Sequence, residues 1–356
     1  MKKNQTYFLQ TGMTLIEIMI ALLLGAFLLG GVIKIFVNAK QTYGMQEGLS
    51  RLQENSRYAL EILSKDLRLS GFQGCISITD LTPTNTATTA ITSPVVAPAI
   101  SSPTPATIIV GYNGSEASPV TTTWSPALPS ALSGLATPIT PGTDVITVVF
   151  GESCGGYLSA DMASASSDIQ ISSSNTCGIV DGDPVLISSC SNADLFRATT
   201  GTTSTLIKHN AVSLPATCAS PPCYKTSSEV FAYRAYSYFI RPGASGEPAL
   251  WRYDNTKAAS SSSNPVEILD GIENLQILYG EDTDADGVAN QYKTAANVTD
   301  ITDVASVRIS LLARTSENLA SQTLTYDYNG ATGVNPGDRR IRRVFNATLA
   351  VRNRLQ

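Results

Sequence analysis

Thr11–Phe36 reads TGMTLIEIMIALLLGAFLLGGVIKIF, and this stretch sets the architecture of the chain. From Ile18 to Ile33 it runs 16 residues without a charge, then continues past Lys34 through Ile35, Phe36 and Val37. That is long enough for a helix to cross a bilayer. Lys2 and Lys3 precede it with no acid among the first 12 residues, which puts the amino terminus on the cytoplasmic side. A secreted signal peptide has a shorter apolar core ending at a small-residue cut site. A plain signal anchor fits the length but leaves Glu17 unexplained. A carboxylate inside such a helix costs about 2.5–3.5 kcal/mol on insertion scales, so it needs a partner.

The run Gly12-Met13-Thr14-Leu15-Ile16-Glu17, after a short basic leader, resembles the class III signal of type IV prepilins and type II secretion pseudopilins. The resemblance implies that a prepilin peptidase cuts between Gly12 and Met13 on the cytoplasmic face and methylates the new amine of Met13. Phenylalanine is the commoner first residue in those families, so Met13 is a departure. Glu17 becomes the fifth residue of the mature chain. The new ammonium lies about one helical turn from its carboxylate, and helix amino termini favour negative charge. Glu17 can pair with its own amine or with that of a packed neighbour. The resemblance implies the second, during filament assembly, and pairing offsets most of the burial cost.

Beyond Val37 the pattern becomes amphipathic. Leu49, Leu52, Ala59, Leu60, Leu63 and Leu67 recur at three- and four-residue spacing, with Arg51, Glu54, Arg57, Glu61, Lys65 and Asp66 on the remaining surface. Gly25, Gly30, Gly31, Gly44 and Gly48 are points where a helix could bend. A helix from Met13 to Ser70 would be about 87 Å long, its first half in the membrane (about 15–37) and its second on a globular body. Ser70–Cys75, SGFQGC, supplies the stop.

The whole chain is poor in charge, with 15% charged residues and a net charge of −5, which offers no basic footprint for nucleic acid. Arg339–Arg343, RRIRR, reads as a strand with an exposed basic face. Cys75, Cys154, Cys177, Cys190, Cys218 and Cys223 all follow the apolar segment, as expected for disulfides in an exported body. Cys218 and Cys223 flank a short ASPP loop and are the expected local pair; the pairing of the other four is open. No CxxC occurs, and His209 has no cysteine at ligand spacing, which argues against zinc. With one histidine and no HExxH or P-loop, the sequence gives no support for an enzyme.

Thr79–Pro141 is rich in Thr, Ser, Ala and Pro and reads as long loops with a short strand at Ala106–Tyr112. Asp144–Phe150 and Asp183–Cys190 read as strands. After Cys223 alternating segments crowd together: EVFAYRAYSYFIR, ALWRYD, PVEILDGIENLQILYGED, VASVRISLLAR, QTLTYDY and RRIRRVFNATLAVRNR. The expected fold class is α+β, a long amino-terminal helix packed on an antiparallel sheet. The expected divisions are a leader (1–12), a helix (13–70), a cysteine-containing insertion or subdomain (71–225) and a β-rich core (226–356).

SKDLRLSGFQGC, LDGIENLQILYGEDTDADGVANQY, VASVRISLLART and RRVFNATLAVRNR are similar to PilW-type minor pilins of the type IV pilus. The J-type minor pseudopilin of type II secretion shares the general plan and is the alternative. The resemblance implies a role in pilus assembly or initiation, in a tip or priming complex, supporting twitching motility, adhesion or DNA uptake. The implied partners are other minor pilins, the major pilin, the prepilin peptidase and the inner-membrane assembly platform. The implied location is a single pass in the inner membrane, body in the periplasm, then the pilus surface.

One acidic cluster stands apart. In DTDADGVAN, Asp282, Asp284 and Asp286 alternate ahead of Gly287, as in the first half of a calcium loop, with the Val288 carbonyl and Asn290 at the next ligand positions. The twelfth position is Lys293 rather than glutamate, with Asp300 or Asp303 as possible substitutes. The competing reading is a solvated Asp/Gly turn. A calcium-dependent adhesin body on a pilin anchor is the further alternative, and calcium the one cofactor in view.

Overall fold

The computed structural model describes residues 12–76, 106–115, 123–164, 166–172, 176–190, 193–209, 224–257 and 264–353. One unbroken helix, α1 (Leu15–Leu69), spans 55 residues, about 80 Å at 1.5 Å per residue. Side chains before Gly44 are exposed, whereas Leu52, Ser56, Ala59, Leu63, Asp66 and Leu67 form a buried stripe. The leucine spacing therefore marks the right face. Leu49 and Leu60 lie at its half-buried margin, and Asp66, expected on the polar side, lies inside it.

Gly44 and Gly48 are not bends. They form a notch for Leu319: a Cβ on Gly48 would stand 2.2 Å from Leu319 Cδ1. The helix ends where the Ser70 N–H and hydroxyl both turn back to the Leu67 carbonyl, at 3.2 and 2.7 Å. Gly71 then takes a φ of +75°, open to glycine at little cost.

The strands follow in order: β1 (Ile109–Gly114), β2 (Trp124–Ser125), β3 (Val145–Tyr157), β4 (Ile169–Gln170), β5 (Pro184–Ser188), β6 (Ala193–Arg197), β7 (Leu206–Ile207) and β8 (Glu229–Pro242). Then come β9 (Pro248–Asp254), β10 (Val266–Asp270), β11 (Ile272–Glu281), β12 (Gln291–Lys293), β13 (Val304–Arg314), β14 (Tyr326–Tyr328), β15 (Ala331–Val334) and β16 (Arg342–Ala350). Valine, isoleucine and tyrosine dominate the long ones, as suits half-buried pleated surfaces.

An eight-stranded sheet runs β10-β9-β8-β3-β1-β2, with β5 joined to β8 and β6 to β5; it draws strands from both sides of residue 225. A four-stranded sheet runs β12-β11-β13-β16, and every pairing in both sheets is antiparallel. The main core lies where three layers meet. Leu52, Ala59, Leu63 and Leu67 of α1 pack with Phe150, Tyr238 and Leu250 of the large sheet and Ile277, Ile309 and Leu349 of the small one. The chain is thus α+β.

Charged residues hold the seams. The RRIRR run is not a uniformly exposed face. Arg339 and Arg343 are exposed, but Arg342 reaches Glu273 at 2.7 Å and Asp338 at 2.7 Å, and Arg340 pairs with Glu247. Arg314 links Glu247 and Glu273 at 2.9 and 3.3 Å. The network ties the β8–β9 turn to the small sheet. Acids supplied by β11 and two turns draw alternate arginines inward, and a sequence run cannot show those partners.

The four cysteines whose pairing was open form Cys75–Cys190 and Cys154–Cys177. The first fastens the exit of α1 to the end of β5 across 115 residues. Cys218 and Cys223 lie outside the described residues.

Candidate functional site

The amino-terminal end of α1 is built by four residues. Thr14 is the N-cap in extended conformation, and Glu17 stands at the third helical position. The Thr14 N–H and hydroxyl donate to Glu17 Oε2 at 2.8 and 2.9 Å, while the Glu17 N–H donates to Thr14 Oγ1 at 3.4 Å. This reciprocal cap satisfies helix N–H groups that otherwise lack partners. Thr-x-x-Glu ahead of an apolar run was the readable signal for it. Gly12 and Met13 precede the cap in exposed, non-helical chain. A peptidase needs its scissile bond in such extended, accessible chain.

From Leu15 to Val37 the helix exposes Leu, Ile, Met, Phe and Val on all sides. A surface helix of a soluble domain keeps one polar face; a helix apolar all round is covered by lipid or by other apolar helices. Among the described residues α1 is the one helix long and apolar enough to span a membrane.

The distal half of α1 is gripped along its length. Leu319 fills the Gly44/Gly48 notch, and Asn55 Nδ2 donates to Asp270 Oδ1 at 3.1 Å. Near the end, the Tyr238 hydroxyl donates to the buried Asp66 carboxylate. Burial pushes the Asp66 carboxyl above its ordinary value, against the pull of Tyr238 and Arg252. Asn353, just past β16, donates Nδ2 to the Ser70 carbonyl at 2.9 Å and lies 3.3–3.4 Å from those of Arg68 and Leu69. The chain's last described residue thereby satisfies the carbonyls that end α1. These contacts fix the distal half of α1 to the body.

The acidic loop between β11 and β12 brings carboxylate oxygens of Asp282, Asp284 and Asp286 within 4.8 Å of one another. Asp282 accepts the Gly287 N–H at 2.7 Å and the Asp286 N–H at 3.3 Å, so the loop curls around its own first residue. Gly287, at φ +85°, makes the turn. Hydrogen bonds to the charged form hold the Asp282 carboxyl below its usual range, although desolvation opposes them. Asn290, at the ninth position of the predicted ligand set, is already engaged within the loop. Asn290 Oδ1 accepts the Thr283 N–H at 2.6 Å, and Val288 donates its N–H to Asp286 Oδ1 at 2.8 Å. Lys293 pairs with Glu281 at 2.7 Å, and Asp300 caps Thr302 at 2.8 Å.

His209 is buried against Phe196, ring centroids 5.3 Å apart, with Nε2 2.9 Å from the Ser167 carbonyl oxygen. Its place is in the packing around β4 and β7.

Residues 237–353 match the family model described as Type IV Pilus-assembly protein W. The matched span runs from β8 through β16 to the Asn353 cap. Among solved structures, a type IV-like pilin from Thermus thermophilus is similar, at 14% identity and a TM-score of 0.24, covering 50% of this chain and 87% of that one. No curated protein matches the chain.

Proposed function

We infer, for a chain whose carboxy-terminal body carries the type IV pilus-assembly protein W match, that it is a minor pilin acting in assembly or initiation of a type IV pilus. One observation carries this reading: a single helix is apolar on every side for its first half and locked into a body for its second. Such a helix can leave lipid only for another apolar environment, and a bundle of like helices supplies one without exposing it to water. Cleavage between Gly12 and Met13 frees an amine that competes with Thr14 for Glu17, or takes the Glu17 of a neighbour. N-methylation of Met13 keeps that positive charge.

The role is structural, with the body in the periplasm before extraction and on the pilus surface after it. A body of this size would crowd a repeating shaft and suits a tip or priming complex with other minor pilins. The partners in this reading are the prepilin peptidase, the inner-membrane platform and the major pilin. Twitching, adhesion and DNA uptake are the processes such a filament serves. Replacing Glu17 with alanine should leave membrane insertion intact and abolish or sharply reduce filaments on the cell surface. Normal piliation in that variant would overturn the reading. Co-purification with secretion components instead of pilus components would move the chain to the minor pseudopilins.

A second reading attaches to the acidic loop, where three carboxylates already converge. Calcium there would cancel their repulsion and stiffen the β11–β12 turn.

A further inference from the structure

We propose that the outer edge of β16 is a docking edge that accepts an added β-strand from a neighbouring pilin-class subunit. The identity of the occupant rests on the minor-pilin reading; the lack of a second partner strand for β16 among the described residues does not.

β16 pairs with β13 in nine consecutive registers, Ser306↔Ala350 to Arg314↔Arg342, with no bulge. Along its other side no strand and no backbone hydrogen bond is found among the described residues. The remaining edges of the two large sheets are blunted. On the large sheet β2 is two residues, β6 is five, and β10 is five with an irregular register between Glu267 and Leu269. The far edge of the small sheet is closed twice over. β12 covers Tyr279–Glu281, and Asp144 takes the Leu275 carbonyl and the Ile277 N–H at 2.9 and 2.8 Å.

Proteins protect long edges with proline, lysine, inward charges or bulges because unpaired N–H and C=O groups template further pairing. β16 has none of these over Val344–Ala350, VFNATLA. Those seven residues make about 24 Å of ladder edge.

The chemistry of the occupant follows from the two faces of the strand. On the inner side, Phe345 packs at the margin of the core and Leu349 within it, beside α1, so alternate residues of the added strand would be apolar. On the outer side, Asn346 and Thr348 stand beside Gln276, Ser310 and Asn329 in a polar groove, which suits hydroxyl or amide side chains. Arg339 and Arg343, both exposed at the start of the strand, call for an acid at that end of the partner. Because β16 also touches α1, a subunit whose helix joins the bundle beside α1 would bring its body to the same side. Main-chain pairing supplies affinity and the alternating side chains specificity.

The test uses the full-length chain in cells that assemble pili, carrying benzoylphenylalanine at Thr348 or, as a control, at the remote exposed Val180. The Thr348 probe should form an adduct with one other pilus subunit, within one extended segment, and the Val180 probe should not. Ala347→Lys places a charge on the inner side of the edge. It can reach water in the free subunit but not under an added strand. It should abolish the adduct and lower surface piliation by roughly ten-fold or more at unchanged protein level and protease resistance. Absence of the Thr348 adduct, an adduct with a second copy of this chain, or wild-type piliation of Ala347→Lys would overturn the proposal. If Ala347→Lys does not accumulate, the cross-link on the otherwise unaltered chain decides alone. A silent edge with non-piliated Glu17→Ala removes this proposal only, whereas a piliated Glu17→Ala removes the pilin reading itself.

Discussion

Asp144 Oδ2 accepts the backbone N–H of Ile277 at 2.8 Å, joining the loop before β3 to the middle of β11 across 133 residues of sequence. Its other oxygen takes the Gly114 N–H at 2.9 Å and Asn113 Nδ2 at 3.0 Å, while its own N–H donates to Leu275. One buried carboxylate thus binds both sheets at their seam. Asp144→Ala would leave the buried Ile277 N–H without its partner, at about 1–3 kcal/mol, and the half-buried Gly114 N–H as well, at less. A urea midpoint lowered accordingly, with an unchanged slope, is the expected result.

Burial raises the Asp144 carboxyl to about 6 against its three donors, and raises Asp194 to about 7 against the Tyr224 hydroxyl 2.7 Å away. Both folded values exceed the unfolded value near 3.9. Below that value both states hold the proton, and the contribution to stability is greatest. As pH rises from about 4 to about 7 the unfolded chain ionises first, and the fold loses stability by about 1.4 kcal/mol per unit of difference. Melts across this range should show the decline, and Asp194→Asn should flatten its upper part.

Gly48 and Leu319 should be energetically coupled. A Cβ at position 48 collides with the Leu319 methyl at 2.2 Å, but alanine is about 1 kcal/mol better than glycine within a helix. Gly48→Ala should therefore gain little in the native background and up to roughly 1 kcal/mol in Leu319→Ala. A double-mutant cycle on thermal melts reads the difference.

Calcium titrated into the full chain in detergent should bind in the millimolar range, as suits a three-carboxylate site without its bidentate acid. Asp284→Asn should weaken it, whereas Lys293→Glu should not tighten it, because that change removes the cation paired with the buried Glu281 and sets a second carboxylate beside it. Calorimetry showing no heat up to about 10 mM would exclude the site.

The long apolar helix needed no tertiary information. Apolar length, the glycine before Met13 and the Thr14–Glu17 spacing are local features, and the cap is a contact over three residues. The long strands of the body were legible for the same reason, since alternation is local. Asp66 misled because its partner is Tyr238, 172 residues away, and a charge reads as exposed until its partner is known. Arg340 and Arg342 misled likewise. Leu319 gave no sign that it would fill a notch in α1.

The sequence by itself determined the helix, its membrane-length apolar half and the β-rich character of the body, because periodicity acts within a few residues. Only the tertiary structure decided where β11 meets Asp144, which charges were buried and which strand stands at the edge of the small sheet among the described residues. Those outcomes depend on which distant groups reach one another, and a one-dimensional pattern does not carry that distance.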